Sequence, residues 1–217
     1  MRTFGWPDLL FLLEAARWTI ALSAIAFAGG AIGGLAVALA RSADGAWPRA
    51  ASTGFIRLFQ GTPLLLQLFL IFFGAPVLGW NINPWVAAAV ALILNTSAFL
   101  GEIWRGCIQA IPRGQREAAE ALGLSYGARM RDVILPQAAK IALPPTVGYL
   151  VQVVKGTSLA AIIGFTEVTR AGQIVNNATF QPLTVFGVVA AIYFVLCWPL
   201  SRLAAQLERR RAMALAR

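Results

Sequence analysis

Histidine is absent from the 217 residues, and charged side chains make up only 12% of them. The first absence removes the commonest metal ligand and the side chain that most often moves protons near neutral pH. The second sets the chain apart from soluble domains, in which about a quarter of residues are charged. Acidic residues are the scarcer sign, nine against eighteen lysines and arginines. The two cysteines, Cys107 and Cys197, fall in or beside apolar stretches, which argues against a disulfide scaffold and predicts two reduced, structural thiols. Also missing are a clustered acid–base or nucleophile set and a Gly-Lys-Ser/Thr phosphate loop, because Lys155-Gly156-Thr157 has the wrong order. These gaps weigh against an enzyme and predict no metal site and no cofactor in this chain.

Apolar residues, at 59%, fill what is left. Five runs are long enough to cross roughly 30 Å of hydrocarbon: 18–40, 58–79, 84–100, 143–165 and 183–203. The fold class expected is therefore all-α, a polytopic membrane bundle of about five spans. Fourteen of the eighteen basic residues lie between the first two runs, between the third and fourth, or at and beyond the end of the fifth. The positive-inside rule then makes those regions cytoplasmic, so the C-terminus is inside and the N-terminus outside. The Trp80-Asn81-Ile82-Asn83 connection, without charge, fits the opposite side, as does the 166–182 connection, to which Gln173, Asn176, Asn177, Thr179 and Gln181 give an uncharged polar surface. Because the basic groups are dispersed along membrane edges with no aromatic-interleaved face, nucleic acid is not an expected partner, and membrane lipid is.

Residues 1–17 are too short and too acidic for a usual signal peptide and read as an interfacial lead-in. Residues 18–206 form the membrane domain, and 207–217 a basic cytoplasmic tail. Gly29, Gly30, Gly33 and Gly34 give the first run two overlapping small-xxx-small pairs, suited to close helix packing within the chain or between subunits.

The polarity of the chain concentrates in residues 111–136. Ile111-Pro112-Arg113-Gly114 interrupts the third span, and residues 115–122 read as a short helix with Glu117 in its first turn. Gly123 suits the left-handed residue that ends it, Ser125 can cap a second short helix reaching Ile134, and Pro136 is expected to end that helix at the membrane surface.

With Glu117-Ala118-Ala119, Gly123 and Val133-Ile134-Leu135-Pro136 in order, the chain resembles permease subunits of ATP-binding-cassette importers, which carry an EAA loop. Val133 stands where isoleucine is usual. Gly61-Thr62-Pro63-Leu64-Leu65 with Gln67, the run 97–105, Gly114-Gln115, Leu135-Pro136-Gln137-Ala138 and Lys155-Gly156-Thr157-Ser158-Leu159 narrow the likeness to the polar amino-acid uptake family, the histidine, glutamine, arginine and opine type. Three departures bear on the solute: Gln60 replaces a common arginine, Phe99 a frequent tyrosine, and Gly156 a frequent acidic residue.

The resemblance implies a type I, MetI-like importer permease that alternates access across the inner membrane. Its ATP-Mg is bound by separate ATPase subunits, a solute-binding protein docks outside, and a second permease copy or paralogue completes the pore. It also implies that Glu117, Ala118, Ala119, Gly123, Leu135 and Pro136 form the surface that couples to the ATPase. A passive channel or exporter subunit is the competing reading, and it leaves the loop unexplained.

For the solute path, a helix starting near Pro144 places Lys155 about 16 Å along it, midway through the hydrocarbon. A cation there needs a partner or a wet cavity. Gly156, Thr157 and Ser158 can open the helix beside it, as in discontinuous transporter helices. Lys155 then faces either the carboxylate of a ligand or a structural counter-ion, Glu167 or one from a second subunit. Asn95, Thr96 and Ser97 are further candidates, and Glu102 with Arg105 fits a surface ion pair.

Overall fold

The computed structural model describes residues 2–43 and 45–215. Met1, Asp44, Ala216 and Arg217, the last a member of the expected basic tail, lie outside the described residues. Every regular element among those described is helical. Helix α1 spans Trp6–Ser42. Pro7 occupies its first turn, where a missing N–H costs nothing. Asp8 is buried, accepts from the Gly5 N–H at 3.0 Å and holds both Arg2 guanidinium nitrogens. No glycine or proline interrupts the chain from Asp8 to Gly29, so α1 passes Arg17 without a break, and residues 6–17 are its first turns rather than a separate segment.

The second apolar run is not one straight span. Helices α2 (Ala46–Gly61) and α3 (Leu64–Val77) meet at 101°. Pro63 has no N–H and crowds the residue before it, and Thr62 accordingly sits in extended backbone at φ −116°, ψ 139°. Helix α4 (Pro84–Gln109) starts at Asn83, whose side chain accepts from the Val86 N–H at 2.9 Å. A short hairpin follows, made of α5 (Arg113–Ala121), α6 (Tyr126–Ala128) and one π-turn (Arg129–Ile134).

The π-turn feeds directly into α7 (Leu135–Gly156). Pro136 therefore does not end a short helix: it lies at the junction of the π-turn with α7, and the chain stays helical through it. Pro144 and Pro145 also lie inside α7, so the helix does not start at Pro144 as its sequence suggested. Neighbouring helices allow such residues in a membrane bundle. At Thr157 the chain tightens into a 3₁₀ stretch, Thr157–Ile163, closed by left-handed Gly164 at φ 87°. What the sequence presented as a plain connection holds α8 (Val168–Thr179), which buries Val168, Ala171, Gly172, Val175 and Thr179 at helical spacing. Helix α9 runs Pro182–Leu215.

Among the described residues four helical stretches are long and apolar enough to cross a membrane, five when the bent α2–α3 pair is counted as one span. In hydrocarbon, burying one apolar side chain against another gains little over lipid, so close approach and internal polar bonds matter more. The glycines of α1 supply the approach. A Cβ on Gly30 falls 2.3 Å from Thr96 Cγ2, one on Gly33 2.3 Å from Ser97 Oγ, and one on Gly34 3.1 Å from the Gly101 backbone N. The small-residue stripe is thus spent within the chain, on α4. Cys107 and Cys197 are both free and buried.

Candidate functional site

Two polar regions stand out in this apolar bundle. The first is the hairpin. Its corner is a Schellman turn: Gly123, at φ 72°, donates its N–H to Glu120 O (2.9 Å), and Leu124 to Ala119 O (3.1 Å). The Ser125 hydroxyl caps the second arm by accepting from the Ala128 N–H. Arg129 pairs with Glu120 across the corner and lies over the Tyr126 ring. The base is tied on three sides. Arg116 donates to Ile108 O at the end of α4 (3.0 Å), the Tyr126 hydroxyl to Ser42 O at the end of α1 (3.1 Å), and Gln137 to Gln115 (3.3 Å). Beneath it Ala38, Ile108, Ile111, Met130, Ile134 and Ala138 form a small core.

Of the residues expected to couple, Glu117, Ala118 and Gly123 are exposed together. Glu117 is the fifth residue of α5 and lies beyond its first turn, because the helix starts two residues early at Arg113. Ala119 points inward at 3% exposure. Leu135 and Pro136 sit at the base, at the start of α7. Sequence reading missed Leu122, an apolar side chain 80% exposed at the tip. Its signal is a leucine beside the turn glycine of a polar helix.

The second region is the α2–α3 bend. Because Pro63 lacks an N–H, the Phe59 carbonyl has no helical donor. Gln67 Nε2 reaches it at 2.8 Å, and also lies 3.0 Å from Thr62 O and 2.9 Å from Thr62 Oγ1. Asn95 Nδ2 donates to Gln67 Oε1 (3.1 Å), and the Tyr149 hydroxyl donates to Asn95 Oδ1 (3.4 Å). Phe99 stacks on Tyr149 at 5.4 Å, and Gln60 donates to Ala98 O. The departures at 60 and 99 thus both border this network. Gln67 and Tyr149 carried no assigned role in the sequence, although a glutamine four residues after a proline inside an apolar run marks the spot.

The remaining path candidates are not gathered around one cavity. Thr96 and Ser97 are buried against the α1 glycines, and Ser97 donates to Ile93 O. Thr157 and Ser158 return their hydroxyls to Val154 O and Lys155 O, both at 2.7 Å. Lys155 is exposed in the last turn of α7, with no carboxylate in ion-pair range among the described residues. Glu167 is not its partner. That carboxyl is fully buried, caps α8 by accepting from the Arg170 N–H (2.9 Å), and accepts the Tyr193 hydroxyl proton at 2.5 Å. Burial pushes it up, against the opposing pull of the N–H and hydroxyl donors. Glu102 and Arg105 do form the expected pair.

The bent second span, the rigidly based hairpin and the fourth span that tightens to 3₁₀ at Thr157 are those of a multi-pass importer permease, a transport subunit rather than an enzyme. The chain belongs to the family of binding-protein-dependent transport system inner membrane components, whose model matches residues 30–213. It is 37% identical over 207 residues to the glutamine transport system permease protein GlnP of Escherichia coli (strain K12), covering 94% of each chain. Identity to the arginine transport system permease protein ArtQ of Bacillus subtilis (strain 168) is 35%, again with 94% of each covered. The nopaline transport system permease protein NocM of Agrobacterium fabrum shares 37% over 88% of this chain and 84% of its own. A crystal structure of an amino acid ABC transporter with histidines superposes with a TM-score of 0.87 at 33% identity, over 96% of this chain and all of that one. An inward-facing MetNI methionine ABC transporter shares the fold, with a TM-score of 0.80 at 20% identity. As a permease of this kind, the protein is an inner-membrane subunit that works with ATPase and binding-protein partners.

Proposed function

We propose that this chain forms the membrane path of an ATP-driven importer for a polar amino acid, with its hairpin as the coupling surface. The observation that carries the reading is the hairpin itself: Glu117, Ala118, Leu122 and Gly123 exposed on a tip whose base is bonded to α1, α4 and α7. A tip fixed in this way can pass force to the spans. Relatives named for glutamine, arginine and nopaline transport support an amino acid or derivative as solute. ATP-Mg belongs to the ATPase, which docks on the hairpin side. The basic residues near α2, the hairpin and the end of α9 support a cytoplasmic C-terminus and an outside N-terminus, so the binding protein docks at the α8 face. A second copy or a paralogue completes the pore. Lys155, in the last turn of α7, meets either the carboxylate of the solute or a carboxylate of that second subunit.

Gly123→Trp tests the coupling role in the reconstituted transporter. The left-handed corner and the close fit are lost together, so the expected result is weaker ATPase copurification and loss of solute-stimulated hydrolysis. Unchanged copurification with full stimulation would falsify the assignment. A panel of amino acids screened for ATP-dependent uptake identifies the solute, and uptake independent of ATP would favour a passive channel.

A further inference from the structure

Helix α2 has three faces. At the helical period Arg49, Thr53, Arg57 and Gln60 share one stripe, Trp47, Ala51, Gly54 and Leu58 share a second, and Ser52 and Ile56 are buried on the third. Trp47 and Leu58 are largely exposed, and so are Arg57 and Gln60 on the polar stripe, more than a third of a turn away. Two exposed faces of opposite chemistry therefore run side by side along one helix.

The depth of α2 follows from its bonds to α4. Gln60 Nε2 donates to Ala98 O at 3.3 Å, and Asn95 Nδ2 to Phe59 O at 3.4 Å, so the last turn of α2 is level with the middle of α4. At its other end α2 follows Ser42, whose carbonyl accepts from Tyr126 of the hairpin. Helix α2 thus climbs through the hairpin-side half of the membrane, and Arg57 lies about one turn short of mid-depth. A guanidinium at that depth is costly against lipid and calls for a counter-ion or a water-filled space. No carboxylate forms an ion pair with Arg57 among the described residues. The apolar stripe suits lipid, which leaves the polar stripe for water.

Charge then decides what that water carries. The five apolar runs contain no Asp or Glu. The carboxylates closest to them in sequence are already engaged, Glu102 by Arg105, and Glu167 by the Tyr193 hydroxyl and the Arg170 N–H. A cationic side chain crossing here finds no counter-charge from this chain and is repelled by Arg57, with Arg49 two turns nearer the hairpin, whereas a carboxylate is attracted. Resting on the importer reading above, we propose that the Arg49, Thr53, Arg57 and Gln60 stripe lines the aqueous hairpin-side half of the solute path and selects neutral or acidic amino acids against cationic ones.

The test uses the whole transporter in nanodiscs. Cys107 and Cys197 are buried, so the wild-type chain gives the background for new thiols. Thr53→Cys and Leu58→Cys are each treated with a cationic and an anionic water-soluble thiosulfonate, and the rates are divided by those of a free thiol. Thr53→Cys should react with both reagents and Leu58→Cys with neither. At Thr53→Cys the anionic reagent should be favoured about 5-fold by the guanidinium one turn away, and adding Arg57→Gln should remove most of that preference. If Thr53→Cys does not assemble, Arg49→Cys reports the same face. In an uptake panel, lysine and arginine should enter at less than about a fifth of the rate of the best neutral or acidic amino acid. An unreactive Thr53→Cys, or a Leu58→Cys that reacts alike, overturns the aqueous stripe. Equal reaction with both reagents, or equal uptake of lysine or arginine, overturns the charge selection. None of these results touches the importer reading, which fails only where uptake ignores ATP.

Discussion

Replacing Gln67 with leucine removes the donor that closes the α2–α3 bend. In the wild type its amide is the donor for the Phe59 and Thr62 carbonyls, and its oxygen accepts from Asn95. Leucine leaves Thr62 O without that donor and leaves Phe59 O with only Asn95 at 3.4 Å. An orphaned buried polar group costs about 1–3 kcal/mol. Polar bonds within membrane bundles are weaker on average, about 0.6 kcal/mol and at most about 1.7, because the unfolded state in the membrane also finds partners. Two affected carbonyls and a partly freed Asn95 give a net loss of about 2 kcal/mol, close to a 30-fold shift in the folding equilibrium. Reversible denaturation of the full chain in mixed micelles, followed by circular dichroism, measures it. The cause can be isolated with Pro63→Ala, which returns an N–H to position 63 and lets α2 extend through Thr62 to give the Phe59 carbonyl a backbone donor. In that background the cost of Gln67→Leu should fall to about 1 kcal/mol. Wild-type stability in the single variant, or an identical cost in both backgrounds, refutes the reasoning.

Three other substitutions probe separate joints. Gly34→Val drives a side chain toward the Gly101 backbone, which cannot rotate away. It should cost about 1–3 kcal/mol in the same assay, while Gly54→Ala, with nothing within 4 Å, should be neutral or stabilising by up to about 1 kcal/mol; equal behaviour of the two removes the close-packing argument. Tyr193→Phe deletes the hydroxyl donor to Glu167 and should lower hydrogen-exchange protection in the first turn of α8 by about 1 kcal/mol, and unchanged protection there shows the bond to be idle. Lys155→Met should abolish uptake while leaving the expression and detergent stability of the isolated chain unchanged, because its side chain is exposed. Wild-type uptake excludes a role in transport.

What the sequence made legible was whatever depends on length, charge placement and special backbone residues. The five apolar runs, the left-handed Gly123, the Ser125 cap and the Glu102–Arg105 pair all belong to that class. Residues that act through a distant partner were not legible. Gln67 matters because a carbonyl eight residues earlier is stranded by a proline, and Asn95 because α4 happens to pass beside both. Ala119 looked like surface but points inward. The prolines misled in both directions: Pro63 breaks its span, whereas Pro136, Pro144 and Pro145 sit in a helix that continues. A proline states only that a donor is missing, and the neighbours decide whether that matters. Residues 168–179 escaped notice because their apolar positions are few and small, alanine, glycine and valine among polar residues.

The join between the hairpin and α7 has no loop in it, and this gives the molecule a seesaw. Residues 126–163 form one continuous helical rod, roughly 55 Å long at the usual rise. In mid-length it is held at Thr146 by the Trp104 indole. That leaves arms of about 30 Å toward the hairpin and about 25 Å toward Ile163. A flexible turn would absorb a sideways push at the tip, but a helical joint transmits it. A tilt that moves Tyr126 by 3 or so ångströms moves the far end by about as much in the opposite direction, carrying Lys155 and the 3₁₀ stretch with it.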